Sequence, residues 1–100
     1  MSISTTPLLE ASARRLFPNR SLDDVLTELL LERAQKNLIK YQSLARQFET
    51  KYGRDFETFR QFVLHAEASF ETEQDYFDWE MAVTGIADMT EEIERLKGRG

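Results

Sequence analysis

Between Ser21 and Tyr52 the chain contains no glycine and no proline. Within that stretch Leu31, Ala34, Leu38, Tyr41, Ala45, Phe48 and Tyr52 follow one another at alternating steps of three and four. Such steps return to one helical face every seven residues, so the spacing predicts a helix of roughly thirty residues with a continuous apolar seam. A second seam of the same kind, Trp79, Ala82, Ile86, Met89, Ile93 and Leu96, occupies the last quarter of the chain. Two long helices laid antiparallel cover both seams at once. Upstream, Leu22, Val25, Leu26, Leu29 and Leu30 widen the first seam and turn it, so the long helix is expected to meet two neighbours.

The ends of these helices are marked locally. The Ser21 hydroxyl is placed to cap the amide of Asp23 or Asp24, and the two aspartates suit the positive end of the helix dipole. Gly53 reads as the left-handed stop. A short first helix runs from Pro7 to about Leu16 with Thr6 as its cap, and Phe17-Pro18-Asn19-Arg20 breaks the chain. A third helix opens at Asp55, with Phe56, Phe59, Val63, Ala66 and Phe70 on one stripe that Phe62 widens. Ser69 and Thr72 are both available to cap the fourth helix, which predicts a bend near Phe70. Gly85 lies inside the second seam, where a missing side chain lets another helix approach. Gly98-Arg99-Gly100 is expected to fray.

The predicted architecture is all-α: a long antiparallel helical hairpin with shorter helices, assembling as a helical-bundle dimer. It is one domain over residues 1–100, divided into an N-terminal arm and short helix (1–20), the long helix (21–52), a third helix (54–69) and an acidic C-terminal helix (71–97). The one strand-like stretch is Met1 to Thr5.

Composition narrows the function classes. Hydrophobic residues at 41% and charged residues at 31% make the chain too apolar to be disordered. The absence of cysteine excludes a disulfide scaffold, a thiolate zinc site and a cysteine nucleophile. No run of apolar residues is long enough to span a membrane, and no signal-peptide pattern opens the chain, so a cytoplasmic location is expected. The net charge of −5 argues against nucleic acid held by bulk electrostatics, but it is unevenly spread. Residues 1–20 carry Arg14, Arg15 and Arg20 against Glu10, whereas no basic residue occurs from Glu71 to Glu94.

Few residues suggest chemistry. His65 is the single histidine, and no nucleophile elbow or glycine-rich loop accompanies it. It reads as a partly exposed helix histidine. Glu67, Glu71, Asp75 and Asp78 step by four, four and three, and share a face if the helix runs unbroken through Phe70. Such a ladder suits a hard cation such as Mg²⁺ or Ca²⁺, though a run of charge is ordinarily a solvated face, and no metal or other cofactor is expected. The most distinctive stretch, Asp75-Tyr76-Phe77-Asp78-Trp79-Glu80, sets three aromatics among acids. Tyr76, Trp79, Ala82 and Val83 share a face that belongs to the core, while Phe77, Glu73, Glu80 and Thr84 point elsewhere. Large aromatics rimmed by charge are typical of binding hot spots, so Glu73, Tyr76, Phe77, Asp78, Trp79 and Glu80 are the candidate partner contacts.

Two resemblances bear on function. The order of short strand, helix, Pro/Asn-containing turn and then Ser21-Leu22-Asp23-Asp24-Val25-Leu26, followed by Glu28-Leu29-Leu30, resembles the ribbon-helix-helix repressors, which read DNA through paired N-terminal strands. Ser2, Ser4 and Thr6 stand where that family carries basic or amide residues. The resemblance implies a DNA-binding autoregulator with Arg14, Arg15 and Arg20 as possible phosphate contacts. From Leu30 to Leu96 the chain resembles small helical prokaryotic proteins associated with toxin–antitoxin loci. The residues concerned are Tyr41 and Phe48, Lys51-Tyr52-Gly53 with Asp55, Phe56 and Phe59, and Glu73 with Tyr76-Phe77-Asp78-Trp79-Glu80. That resemblance implies an antitoxin-like binding protein without catalytic residues or cofactor, its partner a basic protein such as a small nuclease toxin. A plain oligomeric structural bundle is the remaining alternative.

Overall fold

A computed structural model describes residues 6–99, with side chains from 7 to 98. Four helices follow in order: α1 (Thr6–Leu16), α2 (Leu22–Tyr52), α3 (Phe56–His65) and α4 (Phe70–Arg99). The strand-like stretch Met1 to Thr5, with Ser2 and Ser4, lies outside the described residues.

The caps explain the boundaries. The Ser21 hydroxyl accepts the Asp24 amide at 3.0 Å, which fixes the start of α2. Gly53, at φ +63°, ends it in the left-handed conformation, and its amide donates to the Glu49 carbonyl at 2.8 Å. Asn19 takes a similar conformation at φ +68° in the turn before α2, a position that asparagine tolerates better than most residues. The Asp55 carboxylate caps α3 through the Thr58 amide at 2.8 Å, and that bond holds its carboxyl below the usual carboxylate range. α3 is shorter than the expected 54–69. Its backbone becomes extended at Ala66, and the Ser69 hydroxyl then accepts the Thr72 amide at 3.1 Å to start α4. An N-cap residue needs extended backbone, so starting a helix at Ser69 ends the one before it. Ala66 and Phe70 therefore leave the α3 stripe and stand exposed. At the other end α4 continues through Arg99, past the expected stop at 97.

α2 and α4 form the antiparallel hairpin, Phe48 meeting Trp79 at one end and Ala34 lying beside Met89 and Leu96 at the other. Every residue of both heptad seams is buried or half-buried. α3 folds back across the end where α2 gives way to α4, and there the core is aromatic. Trp79 stacks on Phe48 (5.7 Å between centroids) and Tyr52 (6.4 Å), packs against Phe59 (5.1 Å), and meets Phe56 edge-on at 5.4 Å. Aromatic pairs at such separations add to the burial of their area. Within the hairpin Gly85 lies close on Tyr41: a Cβ built on it would come within 2.6 Å of ring carbons Cδ2 and Cε2.

The molecule is a rod of 58 × 28 × 19 Å with a radius of gyration of 19.7 Å, where a compact chain of this length has about 13 Å. Its accessible surface of 7659 Å² exceeds by about 1,800 Å² the surface of a compact monomer of 11.7 kDa. Much of the upstream stripe on α2 contributes to that excess, because Leu26, Leu29 and Leu30 remain exposed.

Candidate partner-binding surface

The first three turns of α4 carry the acidic and aromatic residues, and their neighbours decide which of them face solvent. Trp79 is 1% exposed at the centre of the aromatic core and offers no surface to a partner. Tyr76 is half-buried, its ring parallel to Phe56 at 5.7 Å, and its hydroxyl donates to Glu80 at 3.2 Å. Val83, expected on the same core face, stands exposed. Phe77 is 60% exposed, tilted against Tyr76 at 5.5 Å, with Glu73 and Glu80 exposed on either side. Asp78 is half-buried and accepts from the Gln74 amide at 3.4 Å. One outer turn therefore shows Phe77 between acids, while Tyr76 and Trp79 form the rigid layer beneath. Phe70, seven residues earlier and 81% exposed, lies on the same face as Phe77.

The acidic ladder is not assembled as a unit. Glu67 falls in the extended stretch between α3 and α4. Glu71 and Asp75 instead converge on Lys51 at the end of α2, at 3.0 and 2.5 Å, and Asp75 also accepts the Tyr52 hydroxyl at 2.5 Å. These bonds hold the Asp75 carboxyl below the usual carboxylate range, Lys51 first and Tyr52 second. Lys51 in turn holds its proton more tightly than an ordinary lysine, through Asp75 and then Glu71. Tyr52 titrates above the usual phenol range, because its hydroxyl is desolvated and donates to Asp75. Periodicity gave no sign of this network, since its members lie 20 to 24 residues apart. Among the described residues no three acidic or imidazole groups converge as metal ligands.

The other candidates are dispersed. Arg14 and Arg15 are exposed in the last turn of α1. Arg20 is bound to Glu28 at 2.7 Å and reaches the Asp24 carbonyl at 3.5 Å, so its charge is already matched. His65 ends α3, exposed, its imidazole without a hydrogen bond among the described residues. No helix is long and apolar enough to cross a membrane.

No family model, curated protein or solved structure matches the chain.

Proposed function

We propose that the chain is a non-catalytic protein-binding module, antitoxin-like, that neutralises a basic partner enzyme such as a small nuclease by docking the start of α4 against it. The observation that carries this reading is Phe77, a largely exposed aromatic held between Glu73 and Glu80 on a layer of packed aromatic rings. An anchor of this kind, once covered, accounts for much of an interface's energy, and the surrounding carboxylates speed encounter with a basic surface. The rod shape and its surplus surface support self-association, so the working form of the module is a dimer.

Co-expression with the product of the adjacent gene tests the reading. The expected result is a co-purifying complex whose affinity drops by about thirtyfold in Phe77→Ala, the loss typical of an interface anchor. Glu73→Lys with Glu80→Lys is expected to slow association most at low salt. A complex indifferent to all three substitutions places the contact elsewhere and refutes the assignment.

A further inference from the structure

α3 covers one face of the α2–α4 hairpin, where Tyr76 meets Phe56 and Phe59. Met81, five residues beyond Tyr76, projects about 140° away from it around the helix, toward the opposite face. That face holds a groove made of two separate hollows. At one end Met81 lines it with Lys40, Tyr41 and Leu44. At the other, Leu30 and Arg33 face Met89, Glu92 and Leu96.

The charges beside the groove are sorted by helix except for Glu32 on α2 and Arg95 on α4. Arg33, Lys36 and Lys40 stand exposed on the α2 side. Asp88 and Glu92 lie on the α4 side, seven and eleven residues after Met81 in the same helical row. Among the described residues Arg33, Lys36, Lys40 and Asp88 make no ion pair. Glu92 pairs only within its own helix, with Arg95.

We propose that a second copy of this chain occupies the groove, the two hairpins stacking face to face about a two-fold axis parallel to the helices. This rests on the reading of the chain as a dimer and specifies its interface. Two face-to-face arrangements are open to a symmetric pair. An axis running across the helices lays α2 on α2 and α4 on α4, setting lysine and arginine against their own copies. An axis along the helices lays each α2 on the other chain's α4 at the same level. In the hairpin, Tyr41 lies level with Gly85, so Lys40 then falls near the second copy's Asp88, Arg33 near its Glu92, and Leu44 near its Met81. Apolar residues meet apolar ones and bases meet acids, from one self-complementary surface. The surplus of about 1,800 Å² per chain is ample for it, since a stable interface buries about 800 Å² on each partner. Phe77 stays outside the pairing because its ring leans on Tyr76, toward the side that α3 covers.

Sedimentation equilibrium on the full chain, with far-UV circular dichroism to follow folding, tests the pairing. The wild type is expected to be a dimer. Lys40→Glu is expected to weaken association at least tenfold, Lys40→Glu with Asp88→Lys to restore it, and Phe77→Ala to leave it unchanged. If the single variant unfolds on losing its partner, recovery of a folded dimer in the double variant carries the same information. A dimer unaffected by Lys40→Glu, or a double variant that stays dissociated, overturns this face and symmetry while leaving self-association standing. A monomeric wild type overturns both.

Discussion

Gly85→Ala sets two well-characterised effects against each other at one position. Glycine inside a helix is less favourable than alanine by about 1 kcal/mol, so an isolated α4 gains that much from the change. In the folded chain the added methyl meets Tyr41 at 2.6 Å from Cδ2 and Cε2 and 2.7 Å from Cγ. Nearly equal distances to three consecutive ring carbons arise only above the face of the ring, so no small in-plane slide of the tyrosine relieves them. Non-bonded carbons rest at about 3.5–4.0 Å, and the two helices must therefore part by roughly 1 Å there. Cγ is among the crowded atoms, so the crowding lies near the root of the side chain and a turn of its far end does not clear it. Overpacking of this kind costs about 1–3 kcal/mol. Taking the upper half of that range and subtracting the helix gain leaves a net destabilisation of about 1–2 kcal/mol.

Urea unfolding at fixed protein concentration, followed by helical dichroism and by the fluorescence of Trp79, reads this difference directly. The thermal midpoint is expected to fall by about 5–15 °C. Gly98→Ala is the internal control. It lies in the same helix with nothing within 4 Å of its added carbon, and is expected to leave stability unchanged or raise it by a few tenths of a kcal/mol. Replacing Tyr41 by alanine in the Gly85→Ala background removes the clash, so the two substitutions together should cost less than their sum. If Gly85→Ala proves as stable as wild type with an unchanged urea slope, the glycine does not set the helix separation and the reasoning fails.

The Lys51–Asp75–Tyr52 network gives a pH dependence with a definite sign. Asp75 titrates below the usual carboxylate range in the folded chain, so its contribution is present at neutral pH and is lost as the pH falls below about 4 through the folded value. Asp75→Asn should lower stability at pH 7 by about 1 kcal/mol, a charged hydrogen bond discounted for partial exposure, and should shrink the difference between pH 7 and pH 3 by a similar amount. Urea midpoints at both values check this, and an unchanged acid sensitivity refutes it. Gly53→Ala, at φ +63° with open space around it, tests backbone conformation alone. A loss of about 1 kcal/mol is expected, and a neutral result means that the stop does not depend on left-handed geometry.

Periodicity made the hairpin legible, because each seam residue reports the same fact about facing a partner helix. Gly85 was legible as a place of close approach, but its partner Tyr41, 44 residues away, was not. The break between α3 and α4 was only half legible. Residues 66–69 contain neither glycine nor proline, and Ser69 and Thr72 compete as caps, so only the three-dimensional path shows that Ser69 wins. That outcome also dismantled the carboxylate ladder, since Glu67 joined the connection while Glu71 and Asp75 turned toward Lys51. Leu26 and Leu30 were legible as apolar but not as uncovered. A stripe announces that something packs on it without saying whether that neighbour belongs to the same chain.

If Phe77 anchors a partner as proposed, its position on a helix bears on how firmly it binds. A side chain presented from a loop loses backbone as well as rotamer freedom when a partner captures it, and that loss subtracts from affinity. Phe77 belongs to a helix already fixed by the Ser69 cap and by the packing of Tyr76 and Trp79. Only its own rotamers remain to be ordered. Its neighbours divide the work: Tyr76 and Trp79 spend their aromatic surface holding the helix, which leaves the Phe77 ring exposed among acids. A basic protein that covers this turn therefore gains an apolar anchor and matched charge with little ordering. The same turn built into a mobile segment has to fold and bind at once.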